Sequence, residues 1–203
     1  MSASPTRTTE FLDQLEKSIR RAQEVNNARF RQLDIQELNR RPHPGKWSVG
    51  QCLEHLNIMG GHYLPDMMRR VRLARQRGSR PAEQVKHGYF GSKLVEAMRT
   101  PASEKPLQTP QQFAPSGSRL PRTVVEVFGR QLDELLRIIA VAREINANRV
   151  RIPNPVFPLL RIRLTDQLEA LVLHLDRHLL QAEQVLNTKP AAGSARPATF
   201  ETE

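Results

Sequence analysis

Residues 165–187 read TDQLEALVLHLDRHLLQAEQVLN. Leu168, Leu171, Val172, Leu175, Leu179, Ala182 and Leu186 recur at spacings of three and four, the period of one face of an α-helix. Thr165 stands where an N-cap belongs and Asp166 falls in the first turn, so the sequence predicts a helix from about residue 165. His174 and His178 lie four apart on it. On a helix such positions are about 40° apart and one turn along the axis, close enough for two imidazoles to meet one ion.

Three more segments share this period. Residues 8–31 carry Phe11, Leu12, Leu15, Ile19, Ala22 and Val25 on one face, with neither proline nor glycine among them. A second helix begins at Ser48. The run Ser48-Val49-Gly50-Gln51 is a capping box, in which the serine hydroxyl accepts from the third helical N–H and Gln51 reaches back. Trp47 stands where a hydrophobic staple would sit. The stripe continues through Cys52, Leu53, Leu56, Met59, Tyr63 and Met67 and fades near Gly78. Pro65 lies inside it and predicts a kink or break, because it cannot donate to the carbonyl of Gly61. The third helix covers 121–145, with Val124, Val125, Phe128, Leu132, Leu135, Leu136 and Ile139 on its apolar face. Together these segments predict an all-α chain, a four-helix bundle with one long crossover between helices 2 and 3.

The connections differ in kind. Residues 32–47 admit a short helical turn through Leu33, Ile35 and Leu38, stopped by Pro42 and Pro44. Residues 79–120 form the crossover, proline-rich, with a short helix near Ser92–Arg99. Three prolines in 149–158 predict an extended connector. One domain is expected over 8–187, with a flexible N-terminus at 1–7 and a disordered tail at 188–203.

Charge and cysteine use narrow the function. The net charge is +10, and arginine supplies 25 of the 31 basic residues. Six arginines (Arg69, Arg70, Arg72, Arg75, Arg77 and Arg80) crowd the end of the second helix. They read as a solvated helix end whose cations complement the dipole, since no aromatic residue interleaves with them and no helix-turn-helix or zinc-finger spacing accompanies them. No specific nucleic-acid partner is expected. Cys52 is the single cysteine, so no intrachain disulfide can form. No run of about 18 apolar residues occurs and no apolar stretch follows the opening residues, so a cytoplasmic chain without a membrane span is expected.

Six histidines are present, at 43, 55, 62, 87, 174 and 178. His55 lies in the apolar stripe of the second helix and could complete a three-histidine set with His174 and His178. His62 is a rival seven residues on, facing nearly the same way but ~10.5 Å further along the axis. Cys52 could be a soft ligand or a buried small hydrophobe. The nearby acids are Glu54, Asp66, Glu169 and Asp176, none of them assignable as a general base; Gln181 is better placed to face the pair. Arg161, Arg163 and Arg177 are candidates to meet a carboxylate ligand.

Two stretches carry a family likeness. Pro44-Gly45-Lys46-Trp47-Ser48-Val49-Gly50-Gln51-Cys52-Leu53-Glu54-His55-Leu56 resembles the first signature of the DinB-like (YfiT-type) superfamily, and His174-Leu175-Asp176-Arg177-His178-Leu179-Leu180-Gln181 resembles its second. Their order, the long crossover and the Phe113-Ala114-Pro115-Ser116 loop fit as well, and the likeness spans about residues 8–187. It implies a bundle in up-down-down-up order and a metal triad of His55, His174 and His178. It also implies a divalent metal ion, zinc or nickel first, and chemistry on a small-molecule substrate, since characterised relatives include thiol-dependent transferases that use bacillithiol or mycothiol.

Three function classes follow. The first is a metal-dependent transferase or hydrolase that activates a water or a low-molecular-weight thiol. The second is a non-enzymatic metal-binding or helical interaction protein, with a homodimer through exposed bundle faces as one form. The third, nucleic-acid binding, rests on the arginine cluster alone.

Overall fold

The structure is a computed structural model that describes residues 6–99, 109–155, 157 and 159–188. It is mostly helical. Long helices run over α1 (Thr8–Ala28), α3 (Val49–Gln76), α5 (Thr123–Ala142) and α6 (Leu164–Asn187). Shorter ones are α2 (Ile35–Asn39) and α4 (Tyr89–Arg99), and two three-residue strands, β1 (Arg151–Pro153) and β2 (Arg161–Arg163), precede α6.

The capping box at Ser48 is present as expected. Gln51 N–H donates to Ser48 Oγ at 3.2 Å and Ser48 N–H to Gln51 Oε1 at 3.1 Å. Asp34 starts α2 in the same way, accepting from Gln36 and Glu37 while Glu37 accepts from Asp34 N–H. The break expected at Pro65 does not occur, and α3 runs through it. Leu64, Met67, Met68 and Val71 are buried around and beyond the proline. Burying each is worth about 1.5–3 kcal/mol, which outweighs the ~3 kcal/mol a proline costs inside a helix.

The start of α6 also departs from expectation. Its N-cap position is Arg163, with no side-chain cap, and Thr165 and Asp166 are fully buried inside the helix. The helix emerges directly from β2, and the first helical N–H, that of Leu164, is taken by the Val150 carbonyl at 3.0 Å. The connector expected to be merely extended holds a small antiparallel ladder that pairs Arg151 with Arg163, Ile152 with Ile162 and Pro153 with Arg161. Both isoleucines are buried, Arg151 and Arg161 are exposed, and Arg163 is half-buried. Within the expected lead-in, Thr6 O accepts from Val85 N–H, and just past it Thr8 N–H, at the start of α1, donates to Glu83 O. Residues 1–5, 100–108 and 189–203, including nearly all of the expected tail, lie outside the described residues.

The apolar faces of the four long helices meet in one core containing Leu12, Ile19, Leu53, Met67, Phe128 and Leu132. α3 packs on α5 and α6, and α1 packs on the same two. Polar contacts give the helices their relative directions. Asn57, early in α3, donates to Val124 O early in α5, and Arg75 meets Glu144 where both helices have ended or are ending. Arg21 and Arg29, late in α1, pair with Glu183, late in α6. Arg143, just past α5, pairs with Asp13 and Glu16 early in α1. His55 on α3 is thereby set against the middle of α6.

Candidate metal centre

His55 lies two turns into α3, on the face turned to α6. His174 and His178 project from α6 toward it, one turn apart. The Nε2 atoms of His55 and His174 are 2.8 Å apart. The ring of His178 is centred 4.6 Å from that of His55 and 4.5 Å from that of His174. One ring nitrogen from each of the three lies within 4.8 Å of the other two. The set expected from the sequence is therefore brought together, and His62 is not part of it. The exposed His62 ring stands edge-on to Phe113 at 5.3 Å.

Hydrogen bonds at the outer ring edges orient two of the imidazoles. His55 Nδ1 is 2.7 Å from the Phe113 carbonyl. A carbonyl can only accept, so Nδ1 carries the hydrogen and Nε2 keeps its lone pair. His178 Nδ1 is likewise 3.0 Å from Gln181 Oε1, the residue the sequence placed toward the site. The Trp47 indole stacks on the His178 ring at 5.6 Å and tilts against His55 at 5.1 Å. Trp47 thus packs on two of the three histidine rings, a role that its reading as a staple missed. The Phe113 carbonyl could not have been singled out from side-chain pattern, because it is a backbone group delivered by the crossover.

Burial keeps all three rings neutral. It lowers the pKa of His55 against the opposing pull of the Phe113 carbonyl. Burial, then the positive charge that His178, His55 and Arg177 would present, holds His174 well below the ordinary value. Burial, followed by His55, takes His178 down to about 3. Neutral imidazole is the ligating form. The lone pairs of His55 and His178 converge with the Nε2 of His174, and one shared hydrogen cannot satisfy them all. Nδ1 of His174 is buried without a hydrogen-bond partner. A divalent cation would satisfy all three inward nitrogens at once. Two nitrogens at the tetrahedral angle on an ion ~2.0–2.1 Å away stand about 3.3 Å apart, so the 2.8 Å pair of His55 and His174 would open by about half an ångström to take one. The residues present fit such an ion.

The other candidates are engaged elsewhere. Cys52 is fully buried and burial pushes its thiol up to about 12, so it serves as a small hydrophobe. Asp66 binds Arg69 and Arg70, and Arg75 reaches Glu144, so half of the arginine cluster is drawn into ion pairs. Asp176 does not pair with Arg177. It faces Ser18 and Arg21 of α1, and burial raises its pKa. Arg177 donates to the Ala97 and Met98 carbonyls at the end of α4, and Arg163 to the Lys86 carbonyl. Glu54 holds Ser116, and Glu169 pairs with Arg99. An apolar cleft lined by Leu56, Met59, Phe128, Leu132, Leu171 and His174 adjoins the site.

A family model described as the DinB superfamily matches residues 18–182. The chain belongs to the DinB superfamily. Comparison with the curated proteins and with the solved structures gives no match. The matched DinB region contains all three converging histidines as well as Trp47, Phe113 and Gln181.

Proposed function

We propose that His55, His174 and His178 hold one divalent metal ion, zinc or nickel first, and that the protein uses it as an enzyme on a small molecule. The observation that carries this reading is the meeting of three neutral imidazoles, two buried and that of His174 half-buried, with no carboxylate among them. An ion with three histidine ligands and open positions supplies Lewis acidity, drawing the pKa of a coordinated water or thiol into the neutral range. The Phe113 carbonyl and Gln181 fix the rings of His55 and His178. Trp47 shields the ring faces from water. The reaction class is group transfer from a low-molecular-weight thiol, or hydrolysis. The helix directions given by the Asn57, Arg75, Arg21 and Arg143 contacts support a four-helix bundle in up-down-down-up order, which sets α3 against α6.

The arginine-rich end of α3 is proposed as a solvated helix end without a specific nucleic-acid role. Among the described residues no helix is long and apolar enough to cross a membrane, which accords with a proposed cytoplasmic location. A second reading, a non-enzymatic interaction protein or homodimer, draws support from Tyr89 and Phe90, paired and largely exposed on α4. Elemental analysis of the purified full chain, then a panel of thiols with an electrophilic acceptor and a panel of hydrolysable esters and amides, separates the two. Metal-dependent turnover of any of these supports the enzyme. Full metal loading with no turnover across both panels favours the second reading.

A further inference from the structure

The ring of His55 is aimed by a carbonyl that belongs to a loop, so whatever holds that loop also holds the ring. Three side chains from the first two turns of α3 reach the segment 113–117. His55 meets the Phe113 carbonyl at 2.7 Å. Gln51 Nε2 donates to the Gly117 carbonyl at 2.9 Å. The Glu54 carboxylate accepts twice from one residue, from Ser116 N–H at 2.8 Å and from Ser116 Oγ at 2.7 Å. Residues 51, 54 and 55 share one side of a helix, since spacings of three and four return to the same face. The double contact at Glu54 lies at the exposed edge of the loop and holds one residue by both its N–H and its hydroxyl, which fixes that residue's orientation. Phe113, whose ring is buried, and Pro115, with its fixed φ, join that tie to the carbonyl that His55 uses.

We propose that Glu54 is a positioning residue for the metal centre: by clamping Ser116 it fixes the Phe113 carbonyl, which keeps the His55 hydrogen on Nδ1 and its Nε2 lone pair turned to His174 and His178. The proposal rests on the reading of the three histidines as the ligand set. It gives Glu54 no contact with substrate or ion. Outer contacts that orient a ligating histidine change metal affinity by about 10–100-fold.

The test uses the full-length chain. Long-range nitrogen–proton NMR of the histidine rings is recorded without metal, and zinc affinity is measured by competition with a chromophoric chelator, for the wild type, Glu54→Ala, Glu54→Gln and Ser116→Ala. In the wild type His55 is a single Nδ1–H tautomer. In Glu54→Ala its ring signals broaden or divide between tautomers and zinc affinity falls about 10–100-fold. Glu54→Gln keeps one acceptor and loses less, and Ser116→Ala shifts the same signals in the same direction. Should Glu54→Ala fail to fold, the other two variants carry the test. An unchanged His55 tautomer in folded variants overturns the proposal, whatever happens to their melting temperatures, because a merely structural residue would lower stability without moving that signal. Failure of the wild type to bind zinc or nickel would overturn the metal reading instead, and the metal-free His55 spectra would still decide the positioning role.

Discussion

Two polar clusters that engage histidines meet α6 about 12 Å apart along its axis, and they are built on opposite electrostatic plans. Near the start of the helix, fully buried Asp166 accepts from His87 Nδ1 at 2.6 Å and from Gly88 N–H at 2.9 Å. Glu169, one turn on, pairs with Arg99 and stands 3.8 Å from His87. The hydrogen bond that His87 donates to Asp166, helped by both carboxylate charges, raises the pKa of His87 against burial and Arg99. Two turns further, His174 and His178 meet His55 with no acid among them, and burial drives all three down. The first cluster is charge-compensated and docks α4: a Cβ on Gly91 would lie 2.0 Å from Asp166 Oδ2, so this glycine is what lets the helix come so close. The second cluster is a set of donors without a counter-charge. One residue type thus serves as a fastening where carboxylates face it and, on our proposal, as a ligand set where only other imidazoles do.

Replacements at the two clusters should separate binding from stability. The largest effect is expected from His55→Ala, which removes one of three ligands. Apparent zinc binding energies of about 10–16 kcal/mol, spread over a ligand set, imply a loss on the order of a thousandfold in affinity. Chelator competition measures it, and a loss under tenfold would erase the contrast. Next comes Asp166→Ala, which leaves His87, Glu169 and the Gly88 N–H without their shared partner. With His87 partly exposed, a loss of about 2–3 kcal/mol in urea unfolding is expected, with metal affinity held within a few-fold. A collapse of metal affinity in a folded Asp166→Ala protein would mean that the clusters act as one. Gln181→Ala should lower metal affinity about tenfold, because it frees the outer nitrogen of His178. His62→Ala, at an exposed ring outside the set, should change metal affinity and stability by less than about 0.5 kcal/mol.

The opposite pKa directions sharpen the contrast in the metal-free protein. The triad binds fewer protons folded than unfolded, so its contribution to stability is present above about pH 6.5 and lost as pH falls toward the folded values, about 3 for His178. His87 binds its proton more tightly when folded. Its contribution is complete below about pH 6.5 and lost as pH rises through its raised value. Urea midpoints measured from pH 5 to 9 in the presence of a chelator should therefore decline on both sides. His87→Asn removes the decline on the alkaline side, and the His174→Ala, His178→Ala double variant removes part of the acid one. A profile altered by neither replacement would contradict both assignments.

What the sequence discloses follows the same division. Long amphipathic periods and the Ser48 capping box are local, and the helices begin within a residue or two of where those signals put them. His174 and His178 are legible because both stand on one helix. His55 needed the family likeness to be chosen over His62, since periodicity puts both on the face turned inward. The compensated cluster was hidden. Asp166 reads as a first-turn acid of its own helix, yet its carboxylate reaches His87 and Gly88, 79 and 78 residues away in the chain. β1 and β2 are too short, at three residues each, for alternation to stand out. No break forms at Pro65, because the local rule is outweighed by the burial of Leu64, Met67, Met68 and Val71.

The central claim is that His55, His174 and His178 are the ligands of one divalent ion. Its most direct test is the metal-to-protein ratio of the full chain after reconstitution with zinc or nickel and removal of the excess, measured by elemental analysis beside the His174→Ala, His178→Ala double variant. The account predicts one ion per chain in the wild type and none in the folded variant. A full equivalent retained by the variant, or none taken up by the wild type, would contradict it.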